Sequence, residues 1–356
     1  MNGVLSDRSS PERLAILFVV VVLVALVVAA SVSGVAFGLY TPTWEGTSEF
    51  RSIADSNSQE TVIVTETSQY DSVEPTGALG VVIASEEPYD ETDRERISGF
   101  VESGGTLVVA DASGEYTNPL LESVGATARI DGDPLRDERA YDSSPAFPIA
   151  EPTSQHPYVA GAGGLTLNHG SAIDPGEASV LARSSELSYL DRTGSGTLEE
   201  DDEMADHAVV TLEPVEEGQV VVVSDGSVFI NAMLDRDGNR GLAEGLVSTH
   251  QRVLFDVTHS GEIPPLVLAT LTIRESAAML SAIGLGFVFV IGAVYRWPRV
   301  RELVERARST ETETTGFQEA DVVAMLEQRY PEWDPNRRER VATAVMSHRE
   351  EGGGDE

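Results

Sequence analysis

Three apolar runs in this 356-residue chain end in aspartate: TLVVAD at Asp111, QVVVVSD at Asp225 and RVLFD at Asp256. Each is followed closely by further polar groups, Ser113 after the first, Ser227 and Asn231 after the second, His259 after the third. Carboxylates, hydroxyls, an amide and an imidazole gathered at one sheet edge could hold a cation or a small polar ligand. With His259 as a base they could also assist a hydrolysis. The same residues have a plainer use, because Asp at the end of a strand accepts backbone N–H groups and caps the turn or helix that follows. Both readings of Asp111, Ser113, Asp225, Ser227, Asn231, Asp256 and His259 stay open from sequence.

Other chemistry is excluded by residue type. The chain has no Cys, so disulfides, thiolate metal sites and a cysteine nucleophile are unavailable. All 24 basic residues are Arg, and without Lys no phosphate loop can be completed. Gly161–Gly164 lacks the strand-to-helix setting of a dinucleotide fingerprint, no GxSxG elbow occurs, and none of the six His has ligand spacing. No cofactor is expected and no catalytic residue is assigned. The acidic run Leu198–Met204 is most simply a solvated loop, with cation binding as the alternative.

The elements that must position those aspartates are short apolar strands covered on both faces: Thr61–Thr65, Leu79–Ala84, Thr106–Asp111, Gln219–Asp225 and Arg252–Asp256. Between them lie helical patterns at Glu91–Ser103, stopped by Gly104–Gly105, at Asn118–Val124 and at Arg240–His250. Strand–helix–strand order at this spacing predicts α/β architecture: a Rossmann-like three-layer domain with a mostly parallel sheet. The middle, 131–203, is rich in Pro, Gly, Ser and Asp, with weak strands near Gly164–Asn168 and Ser179–Arg183.

Two uncharged stretches flank this domain. Leu14 to Gly38 carries no charge and is apolar for longer than a cleaved signal's core usually runs, so a retained transmembrane helix is expected. A second uncharged stretch, Ser276–Tyr295, contains Gly284 and Gly286 and is followed by Arg296, Trp297, Arg299 and Arg301, the arrangement of a cytoplasmic membrane boundary. The expected order is a cytoplasmic N-terminus (1–13), a transmembrane helix (14–38), an outer α/β domain (40–275), a transmembrane helix (276–295) and a cytoplasmic tail (296–356) with a helical hairpin at 317–347. Both termini then lie inside the cell membrane and the main domain outside.

The charge distribution fits that order. Net charge is −35, and residues 40–275 hold 43 acidic residues against 12 Arg. An acidic, Lys-free surface suits molar salt, where the Debye length falls to roughly 3 Å and carboxylate repulsion is screened. It argues against nucleic acid as a partner.

The order FVESGGTLVVAD (Phe100–Asp111), NPLLESVGA (Asn118–Ala126), VVVVSDGSVFINAML (Val220–Leu234) and FDVTHSGEIPPL (Phe255–Leu266), set between two apolar segments, resembles an uncharacterised haloarchaeal family. In that family a class I glutamine-amidotransferase-like domain is anchored on the outer face of the membrane. The resemblance covers about Leu14–Arg296. It implies an amidotransferase-like fold, and without Cys that fold cannot hydrolyse glutamine by the family mechanism. It further implies a non-catalytic binding or scaffolding role in an envelope assembly with a MoxR-type ATPase and a von Willebrand-type membrane protein. The alternatives are an accessory subunit of a membrane exporter and a metal-assisted hydrolase using the strand-end carboxylates.

Overall fold

The computed structural model describes residues 35–259 and 319–351, with isolated positions at 18–22 and 264–296. The chain divides into two compact units, Met1–Thr272 and Ile273–Glu356.

In the first unit the elements run α1 (Ser48–Asn57), β1 (Glu60–Val64), β2 (Ala78–Ile83), α2 (Glu91–Glu102), β3 (Thr106–Ala110) and α3 (Thr117–Val124). They continue with β4 (Arg129–Ile130), β5 (Leu135–Asp137), β6 (Ile149–Pro152), β7 (Leu165–Thr166), β8 (Ile173–Asp174), β9 (Ser179–Arg183) and β10 (Ser188–Leu190). Last come β11 (Ala208–Val215), β12 (Gly218–Val223), α4 (Asp237–Ser248) and β13 (Arg252–Asp256).

The main sheet follows the order β1-β13-β2-β3-β12-β11-β9-β6-β7. Neighbours from β1 to β12 are parallel, so the sheet is mostly parallel where the sequence places its apolar runs. From β12 onward the pairing is antiparallel, beginning with the β11–β12 hairpin. The architecture is therefore mixed α/β.

Continuous apolar strands are explained by the two cores. Val81, Ile83, Val108, Ala110, Val221, Val253 and Phe255 pack with α1 and α4 on one face. Val82, Leu107, Val109, Val220, Val222 and Leu254 pack with α2 and α3 on the other. Alternate side chains of one strand thus enter opposite cores, and both must be apolar. Burying them accounts for most of the fold's drive at about 25 cal/mol per Å² of apolar surface. α2 starts where Asp90 accepts from the Asp93 N–H at 2.9 Å, and α3 ends at Gly125 with φ 90°.

Three features depart from the expectation. α1 was not anticipated: its apolar face is only Phe50, Ile53 and Ala54, too short a pattern to stand out. The longest strand, β11, pairs antiparallel. Residues 35–38, expected to close the first transmembrane helix, instead form bends and turns bonded into the domain, Phe37 N–H donating to the Glu45 carbonyl at 2.8 Å. The rest of both apolar segments, with Trp297, Arg299, Arg301 and the 1–13 terminus, lies outside the described residues apart from isolated positions such as Arg296. Among the described residues no helix is long and apolar enough to cross a membrane. In the second unit, helices α5 (Glu319–Arg329) and α6 (Pro335–Glu351) pack on one another. Trp333 stacks on Tyr330 at the turn between them.

Candidate functional site: the carboxyl edge of the sheet

Open parallel sheets bind ligands beyond the carboxyl ends of their strands, and the three aspartates do sit there. Asp111 follows β3 and is spent on its own loop. It accepts from the N–H groups of Ala112 at 2.8 Å, Ser113 at 3.2 Å and Gly114 at 2.9 Å, and from the hydroxyls of Ser113 at 3.2 Å and Thr117 at 2.8 Å. Those bonds lead the chain from β3 into α3.

Asp225, beyond β12, caps a short 3-10 turn at Gly226–Phe229 by accepting from Ser227 N–H at 2.8 Å and Ser227 Oγ at 2.6 Å. Its second oxygen accepts from Asn168 N–H at 2.6 Å, tying the middle segment over the end of the strand. Burial pushes its carboxyl up to about 6, against the hydrogen bonds that favour the charged form.

Asp256 ends β13 and is bonded across elements. It accepts from Tyr70 Oη at 3.0 Å, and from Thr258 N–H at 2.9 Å and Oγ1 at 2.5 Å. Burial raises its pKa, and burial with the Asp256 charge raises Tyr70 and Tyr89 well above a phenol's usual value. His259 Nε2 donates to Asp93 Oδ2 at 3.0 Å, and its ring lies 4.2 Å from that of Tyr89. Thr67 Oγ1 donates to the other Asp93 oxygen, and Arg96 donates to Thr67 at 3.0 Å. Burial pushes Asp93 up, but the hydrogen bonds from Thr67 and His259 outweigh it and hold its pKa below the usual carboxylate value.

Asn231 stands apart from these clusters. Its amide donates to the carbonyls of Thr41 at 3.1 Å and Thr43 at 2.7 Å, while its oxygen accepts from Glu49 N–H at 2.9 Å. It clips a loop, residues 35–47, onto the carboxyl edge. Phe37, Leu39 and Thr47 of that loop line one narrow crevice with Val81, Ile83, Phe255, Asp256 and Val257. Gly46 makes the tight closure possible, since a Cβ there would lie 1.9 Å from the Thr41 carbonyl oxygen. The chain's own N-terminal loop thus packs against the carboxyl ends of β2 and β13.

The predicted site residues therefore divide into local pairs, Asp111 with Ser113 and Asp225 with Ser227, an Asp256–His259 network, and the separate Asn231 clip. No group of three or more His, Asp or Glu is arranged to hold a metal among the described residues. The acidic run 198–204 is a mostly exposed loop. Tyr70, Tyr89, Asp93, Thr67 and Arg96 were not anticipated. Asp93 reads from sequence as an ordinary first-turn helix acid, and its partner His259 is 166 residues away.

The chain belongs to a family defined by a domain of unknown function, DUF4350, matched over residues 40–247. A comparison with curated proteins finds no match. Among solved structures it is similar to the mmIFT52 N-terminal domain, at 15% identity and a TM-score of 0.38, covering 50% of this chain and 77% of that one. It is also similar to the cytoplasmic protein STM1381 from Salmonella typhimurium LT2, at 14% identity and a TM-score of 0.39, covering 58% and 87%. A putative ThuA-like protein from Bacteroides uniformis gives 13% identity and a TM-score of 0.31, covering 52% and 73%. Likenesses this distant carry no functional argument.

Proposed function

We propose that this protein is a non-catalytic, membrane-anchored binding or scaffolding module of the cell envelope, exposed to a saline exterior. The observation that carries this reading is the occupied carboxyl edge: loop 35–47 packs against the carboxyl ends of β2 and β13, and Asp111 and Asp225 are consumed as caps. One further feature supports it. The turn leaving β2 toward α2 holds a residue in strained left-handed backbone, as the nucleophile turn of a hydrolase does. That residue is Ala84, φ 44°, whose methyl group can attack nothing. The five parallel strands between two helical layers are consistent with an amidotransferase-like fold retained as a scaffold.

Anchoring rests on the two uncharged apolar stretches. Among the described positions within them, Phe18, Val21 and Val22, then Leu285, Val288 and Phe289, are helical and present large apolar side chains to the surroundings. Soluble domains rarely leave such faces bare. By family resemblance, the partners would be a MoxR-type ATPase and a von Willebrand-type membrane protein.

Crosslinking in native membranes at molar salt, followed by identification of captured neighbours, tests the proposal. Reproducible capture of such membrane or ATPase partners is expected. A protein recovered without neighbours would argue against a scaffold.

A further inference from the structure

Both connections from the domain to the apolar stretches leave from one edge of the sheet. Val35, the first residue of the folded loop, follows directly on the first stretch, and its carbonyl accepts from Thr41 Oγ1 at 2.9 Å within the loop that covers β2 and β13. At the other end, Val257 lines the same crevice, and the His259 carbonyl accepts from Glu86 N–H at 2.8 Å in the turn beyond β2. The same loop carries an unusual side chain: Trp44 is 64% exposed, while its backbone carbonyl is held by Ala232 N–H at 3.0 Å, past the 3-10 turn that follows β12. An exposed indole on a hydrogen-bonded loop, a few residues from an apolar stretch, matches the aromatic side chains that settle at the headgroup level of a bilayer.

We infer that the carboxyl edge of the sheet lies against the bilayer, with Trp44 seated among the lipid headgroups. The inference rests on the anchoring proposed above and adds a direction to it. Strands of five or six residues span about 17–20 Å, so the opposite edge, with Thr76 and the Glu216–Glu217 turn, stands that much farther from the lipid. The edge where related folds admit soluble ligands is then closed twice, by loop 35–47 and by the membrane, and soluble partners must use the outward edge or the antiparallel flank.

The chain contains three Trp, so Trp44 can be made its own reporter in the full-length protein. In a W297F/W333F background reconstituted into vesicles at molar salt, Trp44 emission should fall about two-fold when the acyl chains are brominated near the headgroups. A companion variant carrying W44F and E217W in that background places the indole on the outward edge and should show little quenching. Unquenched Trp44, or equal quenching of the two variants, would overturn the orientation while leaving anchoring intact. Failure of the protein to float with the vesicles would instead remove anchoring and the orientation with it.

Discussion

Asp111 and Asp256 occupy equivalent places, each at the carboxyl end of a buried parallel strand, yet they are held by opposite means. Asp111 satisfies both oxygens within six residues of itself. Asp256 draws a phenol from 186 residues away, and the neighbouring His259 reaches Asp93 on α2. A locally capped carboxylate fixes a turn, whereas one bonded across elements fixes how the elements sit together. Neither arrangement leaves a free carboxylate aimed at an incoming ligand, because the first is saturated and the second is buried and bonded to Tyr70 and Thr258.

The sharpest way to break the comparison is at its local member. Asp111→Ala strands three backbone N–H groups and the Thr117 hydroxyl, and should cost about 3 kcal/mol in a denaturant titration. A cost under about 1 kcal/mol would show that water replaces the cap.

Asp225 tests the cost of burying such a group. Its folded pKa of about 6 lies above the ordinary value of 3.8, so the native state binds its proton more tightly than the unfolded chain. Its contribution to stability is therefore fully present below the unfolded value and lost as pH rises through about 6. Relative to wild type, Asp225→Asn should gain about 2 kcal/mol between pH 4 and pH 7 in parallel denaturant titrations. A gap independent of pH would contradict the burial account.

At the cross-element member, Tyr70→Phe removes one donor to Asp256 and should cost about 1 kcal/mol by thermal unfolding. The smallest effect belongs to the His259–Asp93 contact, where a double-mutant cycle with His259→Gln and Asp93→Asn should give a coupling below about 1 kcal/mol. Because the Asp93 pKa is lowered, its contribution is present above the ordinary carboxylate value and lost as pH falls through its folded pKa. A coupling that survived at acid pH would assign the contact to packing instead.

The same contrast explains what could be read from the sequence. β1, β2, β3, β12 and β13 were legible because strands buried on both faces are uninterrupted apolar runs. The aspartates were legible as strand ends for the same reason, and capping was foreseen as one of their two uses. Choosing between the uses required knowing that Asn168 lies over Asp225 and that Tyr70 meets Asp256, contacts set by the sheet order and marked by no local pattern. On the antiparallel flank the weak runs at Gly164–Asn168 and Ser179–Arg183 marked β7 and β9, while β4, β6 and β8 stayed obscure because they are only two to four residues long. Loop 35–47 was hidden for a different reason: Val35, Ala36 and Phe37 continue an apolar stretch by composition, and only the backbone bonds of the turn and the packing of Phe37 on the core that holds Val81 and Phe255 separate them from it.

The central claim is that the carboxylates of this edge serve the fold and that function lies in what the domain, which we propose to be membrane-anchored, holds. The most direct measurement compares the neighbours captured by crosslinking in native membranes from wild type and from an Asp256→Asn/His259→Gln variant verified as folded by its unfolding transition. The account predicts the same set of neighbours from both, with unchanged activity of the assembly they form. A folded variant that captured the same neighbours but abolished that activity would contradict it and return Asp256 and His259 to a chemical role.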